Sequence, residues 1–121
     1  MTKNNNAAGL CLLVIRSSDL ERDAKFYAAL GFEFSKHQHG SGPEHFAAES
    51  DGLVFEIYPL QNSKPQTTGV RIGFAVDSVD QTVEELVGLG AKVVSEPKDS
   101  QWGRRAVLDD LEGHRIEIVA R

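Results

Sequence analysis

The sequence predicts an α+β domain built from two tandem βαβββ modules, a mixed sheet with both helices on its outer side. Three observations carry that class. Signals recur at one spacing: Ser18 and Ser78 stand 60 positions apart, Leu30 and Leu89 stand 59, and Glu56 and Glu117 stand 61. Each recurrence opens with an apolar strand followed by Ser-x-x-Glu or Ser-x-x-Gln, the capping pattern of a helix start. After each helix come three short strand-like runs separated by Gly, Pro and Asp turn residues. At 121 residues the chain has the length of one domain, 1–121, with module one at about 10–60 and module two at about 69–120.

Taken in order, Cys11 to Ser17 form an apolar strand, and Ser18, Asp19, Leu20 and Glu21 spell a capping box. Leu20, Ala24, Tyr27 and Leu30 then recur at helical spacing, and Gly31 supplies a left-handed helix stop. Strands follow at Phe32 to His39, Glu44 to Glu49 and Leu53 to Tyr58, and QNSKPQTTG reads as a polar linker. In the second module Val70, Ile72, Phe74 and Val76 alternate as a strand, Ser78 and Gln81 cap a helix, and Leu89 with Gly90 ends it. The last strands run from Lys92 to Glu96, Arg104 to Asp109 and His114 to Val119, eight strands and two helices in all.

Composition removes several function classes. Thirteen Lys and Arg against eighteen Asp and Glu leave a charge of −5 with no basic block, so a nucleic-acid partner has no electrostatic support. The single cysteine, Cys11, makes no internal disulfide, as is ordinary in a reducing compartment. Met1 to Asn6 followed by AAGLCLLVI superficially resembles a signal segment, but the run ends at Arg16 without a small-residue cleavage site and is too short to span a bilayer. The expectation is a cytoplasmic protein with no membrane partner.

Strand periodicity assigns the faces, because alternate side chains point to opposite sides of a sheet. If Val70, Ile72, Phe74 and Val76 cover the helices, Arg71, Gly73 and Ala75 face the other way. By the same rule Leu53, Phe55 and Ile57 pack inward, which leaves Val54, Glu56 and Tyr58 outside, and Ile116 and Ile118 leave Arg115, Glu117 and Val119 there. Two carboxylates thus hold matching positions on the face that no helix covers. They are either solvated groups on a wet sheet or part of a hollow that Gly73 and Ala75 would open beside Arg71.

The strand before SSDLERDAKFYAALGFEF, the strand LVFEIYPL, the segment VRIGFAVDSVDQTVEELVGLGAKV and the closing QWGRRAVLDDLEGHRIEIV together resemble the glyoxalase, bleomycin resistance and extradiol dioxygenase superfamily, also called vicinal oxygen chelate proteins. The most specific parts are FY followed by LGF, the WG at Trp102 and Gly103, and the D-x-x-G-x-x-x-E of Asp110, Gly113 and Glu117. The resemblance implies that each module curls into half of a cup, that the chain forms a homodimer, and that metal-using relatives place ligands on the first and fourth strands of each module. Those positions correspond here to Leu12, Glu56, Arg71 and Glu117, of which Glu56 and Glu117 alone survive as metal ligands. Leucine offers no lone pair and arginine brings a permanent positive charge, so no cofactor is expected.

The favoured function is therefore a metal-free protein that binds a small molecule in a cleft. The alternative is a metal-dependent lyase, isomerase or dioxygenase with an altered site, holding a divalent metal. Glu117, Glu56 and His45 are the candidate catalytic groups; Arg71, Trp102, Leu12, Tyr58 and Arg104 are the candidate ligand contacts. Arg71 either lies between the two glutamates as an inert ion pair or holds a carboxylate or phosphonate of the ligand. Trp102 either caps the core or stacks on a flat ligand at the mouth of the cup. His45 joins His37 and His39 on one face only if the turn between them has the right length, and His114 is expected at the sheet edge.

Overall fold

The computed structural model describes residues 7–121; the reading of Met1 to Asn6 lies outside them. The first module consists of β1 (Leu12–Ser17), α1 (Leu20–Ala28), β2 (Ser35–His37), β3 (His45–Ser50) and β4 (Leu53–Pro59). The second repeats it with β5 (Arg71–Val76), α2 (Val79–Gly88), β6 (Lys92–Ser100), β7 (Gly103–Asp109) and β8 (Arg115–Ala120). The eight strands form two four-stranded mixed sheets, one per module, in the orders β1-β4-β3-β2 and β5-β8-β7-β6. In each the first strand runs parallel to the fourth, with Val14 beside Glu56 and Gly73 beside Glu117, so the repeat extends to register. No helix among the described residues is long and apolar enough to cross a membrane.

Several element boundaries depart from expectation for identifiable reasons. Asp19, not Ser18, caps α1, accepting from the Arg22 backbone N–H at 3.2 Å. Ser18 is engaged elsewhere: its backbone N–H and its hydroxyl both donate to Glu112 Oε1, at 2.9 and 2.7 Å. At α2 the expected Ser78 cap is present and accepts from the Gln81 backbone N–H. The strand expected from Phe32 shrinks to Ser35–His37, because Phe32 and Phe34 turn inward, their rings 5.2 and 5.7 Å from that of Phe55. Conversely, β6 continues through Pro97 to Ser100. It is an edge strand, where a missing N–H removes no ladder bond, and register shifts between Val93 and Lys98 absorb the irregularity. The β3–β4 hairpin turns on Asp51 and Gly52, both at positive φ, the conformation a two-residue hairpin of the right twist requires.

One apolar cluster joins the modules, running from Ile15, Phe26, Tyr27 and Phe55 to Leu86, Leu108, Ile116 and Ile118. Of the alternating set on β5, Ile72 and Val76 are buried as expected, but Phe74 does not serve its own helix alone. Its ring stands 5.8 Å from Tyr27 and 6.0 Å from Phe32, so the second module contributes an aromatic to the packing of the first.

A second bond between the modules is polar. Asp110 Oδ1 accepts the backbone N–H groups of Glu112, Gly113 and His114 at 3.0, 2.8 and 2.8 Å, while Oδ2 accepts from the Tyr27 hydroxyl and from His114 Nδ1. His114 is fully buried, not at an edge, and its Nε2 meets Thr67 Oγ1 at 2.6 Å; that oxygen in turn accepts from the Arg16 backbone N–H. The chain of donors closes when the His114 proton sits on Nδ1 and the Thr67 hydroxyl donates to Nε2. Burial works against ionisation of Asp110, but the bonds from His114 and Tyr27 outweigh it and hold the carboxyl below its ordinary range. Burial, with the Asp110 carboxylate behind it, pushes the Tyr27 phenol well above its ordinary range.

Candidate functional site

The uncovered faces of the two sheets carry most of the residues singled out from the sequence, in two separate groups. On the first module, Glu56 of β4 faces His45 of β3, with His45 Nε2 3.5 Å from Glu56 Oε2. The His45 ring lies flat on Tyr58, centroids 4.1 Å apart, and the Arg16 guanidinium stands 5.7 Å from the centre of the Tyr58 ring. His45 Nδ1 is 3.2 Å from the Pro43 carbonyl, which only accepts, so a proton on Nδ1 satisfies that contact while Nε2 faces the Glu56 carboxylate. Nε2 is buried and has no hydrogen-bond partner. The turn length does bring the other two histidines alongside: His37 pairs with His45 across the hairpin, and the rings of His37 and His39 stand 6.0 and 5.3 Å from that of His45.

On the second module, Arg71 Nε donates to Glu117 Oε2 at 2.6 Å, and Arg105 binds the other oxygen of the same carboxylate through an Nη at 2.7 Å. Arg115 pairs with Asp109 at 3.0 Å on the same face. Arg71 therefore neutralises one of the two glutamates, and the guanidinium that completes the cluster is Arg105. The repeat explains why. His45 precedes Phe46, whose partner is Ile57, and so lies beside Tyr58; Arg105 lies beside Val119, and Tyr58 and Val119 are equivalent. His45 and Arg105 hold one position in two modules, each next to the module's glutamate, and Arg105 Nε is, among the described residues, the other buried polar side-chain atom left without a partner.

The remaining expected contacts are placed as follows. Leu12 is half exposed on the edge strand β1, on the face of Glu56. Arg104, one residue out of phase with Arg105, points to the helix side, where Asp80 of α2 and Asp99 hold it. Trp102 does not cap the core: it is 77% exposed in the β6–β7 turn. Gly73 and Ala75 do border a hollow of about 380 Å³, but its other wall is Leu30, Gly31 and Phe32 of the first module, not Glu56. Of the D-x-x-G-x-x-x-E motif, Glu117 alone stands on the uncovered face, while Asp110 ties the modules together.

The donor set does not suit a metal ion. Of the four positions carried over from metal-using relatives, Leu12 and Arg71 offer no ligand atom, and both oxygens of Glu117 are already engaged by guanidinium groups. Among the described residues no group of three or more His, Cys, Asp or Glu side chains is arranged to hold one.

Comparison with known proteins agrees with this architecture. Residues 12–119 match the family described as glyoxalase-like domain. An uncharacterized protein of Mycolicibacterium smegmatis is 30% identical, the match covering 87% of each chain. A probable chloroplastic lactoylglutathione lyase of Arabidopsis thaliana is 28% identical over 97% of this chain, which spans only 37% of that protein. Among solved structures, an antibiotic-binding protein of a Streptomyces species superposes with a TM-score of 0.74 at 22% identity, over 97% of this chain and 98% of that one.

Proposed function

The chain belongs to the glyoxalase-like domain family, and from that premise we propose that it is a metal-free small-molecule-binding protein that works as a homodimer, with its ligand cleft on the uncovered sheet faces. The observation that carries the reading is the pair of buried, unpartnered nitrogens, His45 Nε2 and Arg105 Nε, one at the same position of each module and both beside the family's surviving glutamates. A buried polar atom without a partner is costly, by about 1–3 kcal/mol, and a bound ligand that supplies the missing bond recovers that energy. The replacement of two ligand positions by Leu12 and Arg71 favours binding without a metal, and the antibiotic-binding protein of the same fold supports the same kind of occupant. Each module leaves one sheet face open and presents an unpaired strand edge at β1 or β5, which a second copy of the chain would cover.

Sedimentation of the purified protein, with a thermal-shift screen of aromatic and acidic small molecules before and after chelation, tests the reading. Dimers that are stabilised by at least one compound, equally with and without chelator, are the expected result. Stoichiometric metal in the purified protein, with binding or lyase activity lost on chelation, would overturn it in favour of a metal-dependent enzyme.

A further inference from the structure

We propose that the face of the second module is an oxyanion pocket that holds the acidic group of the ligand, so that the small molecule bound by this protein is an organic acid. The inference rests on the binding reading above and adds the ligand class. A hollow of about 270 Å³ lies over β5, β6, β7 and β8, lined by four cations, Arg71, Lys98, Arg105 and Arg115, together with Val94 and Val107. Glu117 and Asp109 offset two of those charges, which leaves two positive charges on this one face of a chain whose total is −5.

The hydrogen-bonding capacity of the cluster is also incomplete. Arg71 gives Glu117 its Nε and Arg105 gives it one Nη, leaving the other forks of both guanidiniums free. Arg105 Nε is buried without a partner, and Lys98 makes no ion pair among the described residues. Guanidinium forks match the paired oxygens of carboxylates, phosphates and phosphonates, and like charges held this close gain most from an anion between them. The hollow is slightly smaller than the roughly 300–1,000 Å³ of drug-sized sites, as befits a head group whose remainder projects beyond it. The first module has no such cluster: where Arg105 stands it carries His45 stacked on Tyr58, and where Arg71 stands it carries Leu12. Anion recognition is thus a property of one half of the repeat.

Calorimetric titration of the whole protein with inorganic phosphate and, separately, with succinate tests the pocket and distinguishes phosphoryl from carboxylate ligands. One saturable site per chain for at least one of the two anions is expected, weakening as salt is raised. Lys98→Ala, an exposed change that leaves the packing alone, and Arg105→Gln should each weaken binding about tenfold or more, whereas Lys64→Ala, an equal loss of charge in the linker, should not. Absence of saturable binding to both anions, or equal weakening by Lys64→Ala, would overturn the proposal. If uncharged aromatic compounds still stabilise the protein in that case, the pocket fails and the binding function stands; if nothing binds, both fail.

Discussion

Two polar regions of the molecule differ in how completely they are bonded. At the joint between the modules, Tyr27, Asp110, His114 and Thr67 form a buried chain in which both oxygens of the carboxylate, both ring nitrogens and both hydroxyls have partners. On the uncovered faces, His45 and Arg105 each keep a buried nitrogen with none. A saturated network rigidifies and specifies the architecture, because every partner is already supplied within the chain. An incomplete one stores an energetic penalty that a ligand removes. The joint therefore serves the architecture, and the unsatisfied faces are where the proposed binding would take place, although both are built from the same kinds of residue.

The sharpest way to break that contrast is to remove Asp110. Asp110→Ala strands the Tyr27 hydroxyl, the His114 ring and three backbone N–H groups, and should lower unfolding free energy by about 3–5 kcal/mol in a denaturant titration. A loss of only a few tenths would mean that the joint holds nothing together.

Next in size is pH. Asp110 is held below its ordinary range, so its contribution is present above the unfolded carboxyl value of about 4 and is lost as pH falls through the folded one. Tyr27 is raised, so its contribution is present below the ordinary phenol value of about 10 and is lost as pH climbs further. Stability measured across pH should fall at both ends, with the alkaline fall reduced in Tyr27→Phe and the acid fall reduced in Asp110→Asn.

The smallest stability effect belongs to Glu117→Gln, whose ion pairs are half exposed and together worth about 1 kcal/mol or less. Its effect on binding should be the opposite of a metal ligand's: freeing Arg71 and Arg105 should tighten phosphate or succinate binding, as calorimetry would show.

Much of the fold was legible beforehand. The offsets of 59 to 61 positions anticipated two equal modules and the matching places of Glu56 and Glu117, since residues with the same place in a repeat meet the same neighbours. Arg105 was legible too, standing 60 positions after His45, but Arg104 was expected in its stead. Ala106, Val107 and Leu108 are all apolar and all buried, so alternation could not reveal which arginine shared a face with Glu117. The hairpin turn that brings His45 beside His37 was open for a related reason: register depends on backbone geometry between Gln38 and Glu44 that composition leaves undetermined.

Local pattern therefore determined the two modules, their helices, and the covered and uncovered faces, while the resemblance to metal-using relatives pointed to Leu12 and Arg71 standing where those proteins carry ligands. Only the tertiary structure decided that Arg71 and Arg105 share Glu117 while Glu56 turns to His45, and that Asp110 and His114 serve the joint. Periodicity and capping act over a few residues, whereas Tyr27 and Asp110 are 83 positions apart and meet only where the two modules pack, beside the Tyr27–Phe74 contact.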